Sequence, residues 1–170
     1  MRAIPLSRGK VALVDDADYK RVIAAGPWFA YKNRKDRTWY ARRGVRIGGR
    51  RIIQGLHTFL TGFELTDHED GNGLNCQSYN LRKATVAENT HNQGLRRDST
   101  SGYKGVGWDK SHGQWEVRIV VNGKRKKLRR FDGPPPPALA PPEAGRAYDK
   151  AALEFFGEFA RTNQMLGLLP

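Results

Sequence analysis

"LTDHEDGNGLN" (residues 65–75) sets an aspartate and a histidine side by side, just before a turn rich in glycine and asparagine. If residues 65–68 are a strand, alternation sends Asp67 and His68 in different directions. A hard divalent cation takes oxygen ligands: a carboxylate, an amide oxygen, waters and substrate phosphates. Asp67 and Asn89 can supply the two protein oxygens, one before the loop and one on a helix expected over "ATVAENTHNQ" (84–93). A strand–loop–strand–helix path can bring such positions together. A neutral His68 can take a proton from an attacking water, while a metal stabilises charge on a phosphate. Asn80 on the second strand could hydrogen-bond across the hairpin and hold His68. A lone Asp-His pair also fits an ordinary surface hairpin, so the rest of the chain has to decide.

The chain has 170 residues, of which only 38% are hydrophobic, so small modules fit better than one large core. The formal charge is +13 and the pI about 10.2, which points to a polyanionic partner. Residues 32–51 hold nine Lys/Arg against Asp36, a net +8. Residues 96–130 hold eleven against Asp98, Asp109 and Glu116, again +8. Between them lies an acidic spot: Glu64, Asp67, Glu69 and Asp70. Two basic blocks around an acidic spot suit a metal-dependent enzyme on nucleic acid. No run approaches the roughly 20 apolar residues of a membrane span, and the N-terminus lacks the apolar run of a signal peptide. An intracellular setting and no membrane partner are expected. A single cysteine, Cys76, rules out an internal disulfide and a cysteine zinc cluster.

The expected class is α+β. Residues 1–55 read as a small, basic, sheet-rich domain. It holds a strand at 10–15, a short helix closed by Gly26, a hairpin from "WFAYKN" and "TWYARRGVRI", and a second turn at "GGR" (48–50). Residues 56–93 form a middle module, whose helix has a capping box from Thr85 and Glu88. Residues 94–101 read as a linker. Residues 102–160 read as three antiparallel strands and a helix, with Asn122-Gly123 as a hairpin turn. The proline run after Asp132 reads as an extended polyproline spacer. Pro141-Pro142-Glu143 opens a helix with Ala144, Tyr148, Ala151 and Phe155 on one face. The tail, 161–170, has no clear reading.

From Leu56-His57 through "DHEDGNGLNCQSYNLRKATVAENTHNQ", the chain resembles the HNH endonuclease family in its phage and homing-type branch. The resemblance covers about 37 residues. It rests on Asp67-His68, Asp70-Gly71-Asn72 with Leu74-Asn75, Asn80-Leu81-Arg82 and Asn89. It implies a central ββα-metal finger in which Asp67 and Asn89 bind the metal, His68 is the general base and Asn80 orients it. Cys76 and Gln77 depart from the branch's usual Asn and Arg. Asn89 in place of a third His matches the H-N-N variant and implies Mg²⁺, with Mn²⁺ as substitute, rather than zinc. His57 reads as a packed structural residue, Cys76 as a small filler, and His91 and His112 as solvent-exposed.

The C-terminal stretch "GYKGVGWD…QWEVRI…GKRKKLRRFD…EAGRAYDKAALEFFG" (102–157) resembles the AP2 DNA-binding domain. That resemblance implies a sheet lying in the major groove with a helix behind it. Lys104, Arg118, Arg125 and Lys127 fall where that family contacts DNA, and Arg129 and Arg130 are expected on phosphates. Gly107 and Asp109 stand where plant relatives carry Arg, so sequence preference should differ. Trp115 reads as core, and Trp108 as either core or a DNA contact. "GPPPPALAP" is an insertion relative to the family. The first 55 residues resemble the segment often found before this HNH type, and their basic block, with Arg42 and Arg43, suggests a second DNA contact.

These readings combine into a metal-dependent, site-directed DNA endonuclease, monomeric or weakly dimeric, acting on double-stranded DNA without a small-molecule cofactor. The first rival is a non-catalytic AP2-type regulator with a scaffold finger. The second is an RNA-binding protein, which a groove-reading sheet disfavours.

Overall fold

The computed structural model describes residues 1–32, 34 and 38–170. The chain is mixed α+β and divides into two compact units, Met1–Asn89 and Thr90–Pro170. Among the described residues the first carries three small antiparallel sheets and the second carries one. Among the described residues no helix is long and apolar enough to cross a membrane.

In the first unit, β1 (Arg2–Pro5) pairs antiparallel with β2 (Val11–Val14). Helix α1 (Asp16–Ala24) follows, with Asp16 and Asp18 at its positive end. Just past it comes Gly26 at φ 103°. Strands β3 (Phe29–Tyr31), β4 (Tyr40–Ile47) and β5 (Arg50–Gly55) form a sheet in that order. Gly48 and Gly49 turn β4 into β5 with φ of 57° and 77°, values L side chains rarely adopt. The connection from β3 to β4 includes Asn33 and residues 35–37, which lie outside the described residues. Then come α2 (Leu56–Thr61), β6 (Thr66–His68) and β7 (Leu81–Lys83), and α3 (Val86–His91) begins in this unit and runs past its end at Asn89. The Thr85–Glu88 capping box forms: Thr85 N donates to Glu88 Oε2 at 2.6 Å and Glu88 N to Thr85 Oγ1 at 3.2 Å.

The sequence divides this unit at residue 55, yet one core serves both sides. Ile4, Ala12, Val14, Val22, Trp28, Ala30 and Ala41 pack with Leu56 and Cys76. Backbone bonds join them too: Leu13 N donates to Leu74 O, and Cys76 N to Leu13 O, both at 2.8 Å. The physical reason is apolar content. The 69–80 loop buries Cys76 and little else apolar, so it folds against β2 and not on itself.

In the second unit, β8 (Val106–Asp109), β9 (Gln114–Val121) and β10 (Lys124–Phe131) form a sheet in the order β10-β9-β8. Asn122 and Gly123 make the expected left-handed turn, at φ 51° and 73°. Helix α4 (Pro142–Phe156) packs on one face over Trp115, Val117 and Ile119. Tyr148 lies so close to Gly105 that a Cβ there would meet its ring at 1.9 Å.

Two expectations change here, and the tail, which had no clear reading, takes a definite place. Phe155 is 38% exposed, and Ala152 and Phe156 take the buried side of the helix. The proline run is not a continuous extended spacer. It turns at Pro136-Pro137 and packs back: Pro134 O accepts from Trp115 Nε1 at 3.0 Å, and Ala140 N donates to Ser101 O at 3.1 Å. The tail is fastened, because the buried carboxylate of Asp149 accepts from Asn163 N (2.7 Å), Asn163 Nδ2 (2.8 Å) and Gln164 N (2.9 Å). Hydrogen bonds to a buried charge contribute about 1.5–3 kcal/mol. Asp149→Ala should therefore destabilise the protein by about 3 kcal/mol in urea unfolding, and an unchanged midpoint would show that the tail is not held this way.

Candidate functional site

The 69–80 loop is drawn together by the side chain of Asn80, which is buried. Its Nδ2 donates to Asp70 Oδ1 at 3.0 Å and to Asn75 O at 2.8 Å, while its Oδ1 accepts from Asp70 N at 2.9 Å. Asp70 in turn accepts from Asn72 N (2.7 Å) and Asn75 Nδ2 (2.8 Å). The Asn80 backbone oxygen accepts from Glu69 N at 2.9 Å, one residue after His68. Asn80 was expected to bond His68 across the hairpin. Its side chain instead bonds the loop that follows His68, because the loop folds back over Asn80 and presents unpaired backbone donors and acceptors to it.

Asp67 and His68 end β6, opposite Arg82 and Leu81 of β7. Both are buried, at 5% and 6% exposure. Arg82 donates from Nε (2.9 Å) and Nη2 (2.8 Å) to Asp67 Oδ2. The His68 ring sits in an aromatic corner. The His57 ring is edge-on at 5.1 Å and the Tyr40 ring at 5.9 Å, with Cys76 Sγ 3.9 Å from His68 Nε2. Burial holds the His68 imidazole down at about 4, against a smaller upward pull from Asp70. Burial, then the charges of His68 and Arg42, hold His57 at about 4 as well. Both rings are neutral at pH 7. Burial pushes the Cys76 thiol up to about 12, so it is an inert filler, as expected. Asn89 lies on α3, partly exposed, after the two strands. The chain order around Asp67 is therefore strand, loop, strand, helix.

The second candidate surface is the face of the β8–β10 sheet away from α4. Register decides its membership. Trp115, Val117 and Ile119 are buried against the helix, so Glu116 and Arg118 point outward. Their cross-strand partners Arg130 and Lys127, and Arg125 opposite Val120, share that outer face. Glu116 is 4% exposed beneath these cations, 3.0 Å from Lys127 Nζ, 3.8 Å from Arg130 and 3.9 Å from Arg118. Arg118 lies across Gly107, where a Cβ would stand 2.3 Å from Nη2. The hydroxyl of Ser111 leads the bonds that hold Asp109 at about 2 on the same face.

Several expected contacts lie elsewhere. Trp108 pairs directly opposite Trp115 and meets its ring edge-on at 5.1 Å, so it packs on the helix side. A bulge between Lys127 and Arg129 shifts the alternation, placing Arg129 opposite the inward Val117, with its guanidinium 5.0 Å from the Phe131 ring. The Lys104 ammonium donates to the carbonyls of His91 (2.6 Å) and Arg161 (3.1 Å), so it holds the fold of its unit. His91, expected in solvent, stacks on Phe156 at 3.6 Å. In the first unit Arg43 donates to Gln54 Oε1 and Ala25 O and lies over Trp28 and Phe59. Arg42 lies over Tyr31 at 4.0 Å. Sequence reasoning passed over Glu116; its place between Trp115 and Val117 in an alternating strand was the available signal.

No protein-family model and no solved structure matches the chain. It is similar to Protein 3.8 of Escherichia phage T7, 39% identical over 66 residues, or 39% of this chain and 54% of that protein. The chain thus spans about half the length of this curated relative, whose name states no activity.

Two predictions follow from the buried rings and the thiol. A histidine whose folded pKa is depressed takes up its proton more readily when unfolded, so stability falls as pH drops from about 6.5 toward about 4. At about 1.4 kcal/mol per pH unit, the loss from His68 alone is on the order of 3 kcal/mol. Urea midpoints measured from pH 7 to 4.5, above most carboxylate titration, should fall steadily; a flat profile would contradict burial of these rings. Cys76 should resist a thiol-reactive disulfide reagent in the native protein and react at once in denaturant.

Proposed function

We propose that the chain is a metal-dependent DNA endonuclease of the HNH homing type. The observation that supports this most is the strand–loop–strand–helix order, with Asp67-His68 ending the first strand and the loop tied by Asn80. Asp67 and Asn89 offer the carboxylate and amide oxygens that suit a Mg²⁺ or Mn²⁺ ion completing its shell with waters and phosphates. When bound, such an ion would stabilise negative charge on the scissile phosphate. His68, neutral at pH 7, would take the proton of the attacking water on a ring nitrogen. Arg82 steadies the Asp67 carboxylate through its two bonds to Oδ2. Hydrolysis would leave 5′-phosphate and 3′-hydroxyl ends, as the resemblance implies.

In the same proposal the second unit is an AP2-type reader of double-stranded DNA. Its outward sheet face carries Arg118, Arg125, Lys127 and Arg130, and a sheet of this size fits the major groove. The setting is the cell in which that DNA lies, a bacterial host if the chain is phage-encoded. A second reading, a DNA-binding regulator with an inactive finger, draws on the 6% exposure of His68 and the Arg82 bonds on Asp67.

Supercoiled plasmid and source-genome DNA, with Mg²⁺ or EDTA, separate the two. Metal-dependent nicking or linearisation is expected, reduced by about 10²–10⁴ in His68→Ala. DNA binding without cleavage on any substrate, in Mg²⁺ or Mn²⁺, would favour the regulator. A third outcome, equal cleavage by His68→Ala, would remove His68 from the chemistry.

A further inference from the structure

The β4–β5 hairpin begins inside its unit and leaves it. Ala41 at its base is fully buried. Beyond it, all residues from 44 to 53 except Val45 and none other are exposed, on both faces of the ribbon. Ile47, Ile52 and Ile53 are 63%, 42% and 52% exposed.

The register sorts the two faces. Arg46 stands directly opposite Arg51, and Gly44 opposite Ile53, on one face. Val45 opposite Ile52, and Ile47 opposite Arg50, make the other. The Arg51 guanidinium runs along the first face over Gly44, where a Cβ would stand 3.0 Å from its Nε. Like charges directly opposite one another destabilise a hairpin. Residues 42–55 hold five arginines and no acid. Two of the five, Arg42 and Arg43, lie over rings at the base, leaving Arg46, Arg50 and Arg51 on the protruding part.

We infer that the residue 44–53 ribbon is an arm that enters the major groove of duplex DNA, with Arg46, Arg50 and Arg51 on phosphates and guanine edges. The inference rests on the reading of the chain as a DNA-acting protein, but not on its chemistry. Charge complementarity selects a polyanion, which would relieve the Arg46–Arg51 repulsion. Shape selects the groove: two strands about 4.8 Å apart, with side chains on both faces, fit a groove about 12 Å wide and about 8.5 Å deep. The apolar face, Val45, Ile47 and Ile52, suits thymine methyl groups.

The test uses the full chain in EDTA, so that binding is read without cleavage. Affinity for a 5′-labelled duplex is measured across a salt series for wild type, Arg46→Ala/Arg50→Ala/Arg51→Ala and the matching triple Lys variant. Each lost phosphate contact lowers the salt slope by about 0.9. The Ala variant should lose roughly two to three such contacts and about tenfold or more in affinity. The Lys variant should keep most of the slope, and guanine N7 protection from dimethyl sulphate should shrink over one segment in the Ala variant. Thermal melting should be unchanged or raised in the Ala variant, since like charges are removed. Equal slopes and protection for wild type and the Ala variant would overturn the arm while leaving the nuclease reading intact. Wild type that binds no duplex overturns both. Wild type that prefers anionic lipid vesicles to duplex, through the same arginines, overturns the DNA assignment. Loss of cleavage in the earlier experiment with these slopes intact would sink the nuclease reading alone.

Discussion

The amide of Asn80 is the constraint on which the candidate site depends. One buried side chain satisfies a carboxylate, a backbone amide and a backbone carbonyl of the loop after His68. Without it, the carbonyl of buried Asn75 would lose its partner, at a cost of about 1–3 kcal/mol. With it, the loop closes back on β7 and the Asp67-His68 pair is held at its edge. The same loop hands Leu74 and Cys76 to β2, so the site is braced by strands from the other end of the unit. The network leaves one buried atom over: among the described residues Asn75 Oδ1 has no hydrogen-bond partner.

The second unit follows a different logic. Its inner sheet face is a conventional core against α4, but its outer face buries an acid. Glu116 sits under Lys127, Arg118 and Arg130 and draws them into one layer. A carboxylate among cations lowers the net attraction for phosphate, yet it fixes where the cations stand.

Much of this was legible in residues whose signals are local. Asn122-Gly123 between alternating runs gave a hairpin, and Thr85 with Glu88 gave a capped helix, because both act within a few residues. Strand β1 was missed because "RAIP" is short and ends in proline. Arg129 was misplaced because the bulge between Lys127 and Arg129, hidden in a mostly basic run, turns it to the inner side. Trp108 and Lys104 were offered to DNA, yet the register and the neighbouring carbonyls keep them within the unit. The partners of Asn80 depend on the loop path, which no spacing rule supplies. Apart from β1, the deciding contact in each miss is distant in sequence or depends on strand register.

The proposed function requires Asp67 and Asn89 to form one cation site. Mn²⁺ binding to the full chain, followed by electron paramagnetic resonance with no DNA present, reads this without any catalytic step. One ion per chain is expected, weakened by roughly tenfold or more in both Asp67→Ala and Asn89→Ala, with folding confirmed by circular dichroism. Mn²⁺ binding that is unchanged in a folded Asp67→Ala protein would contradict the site.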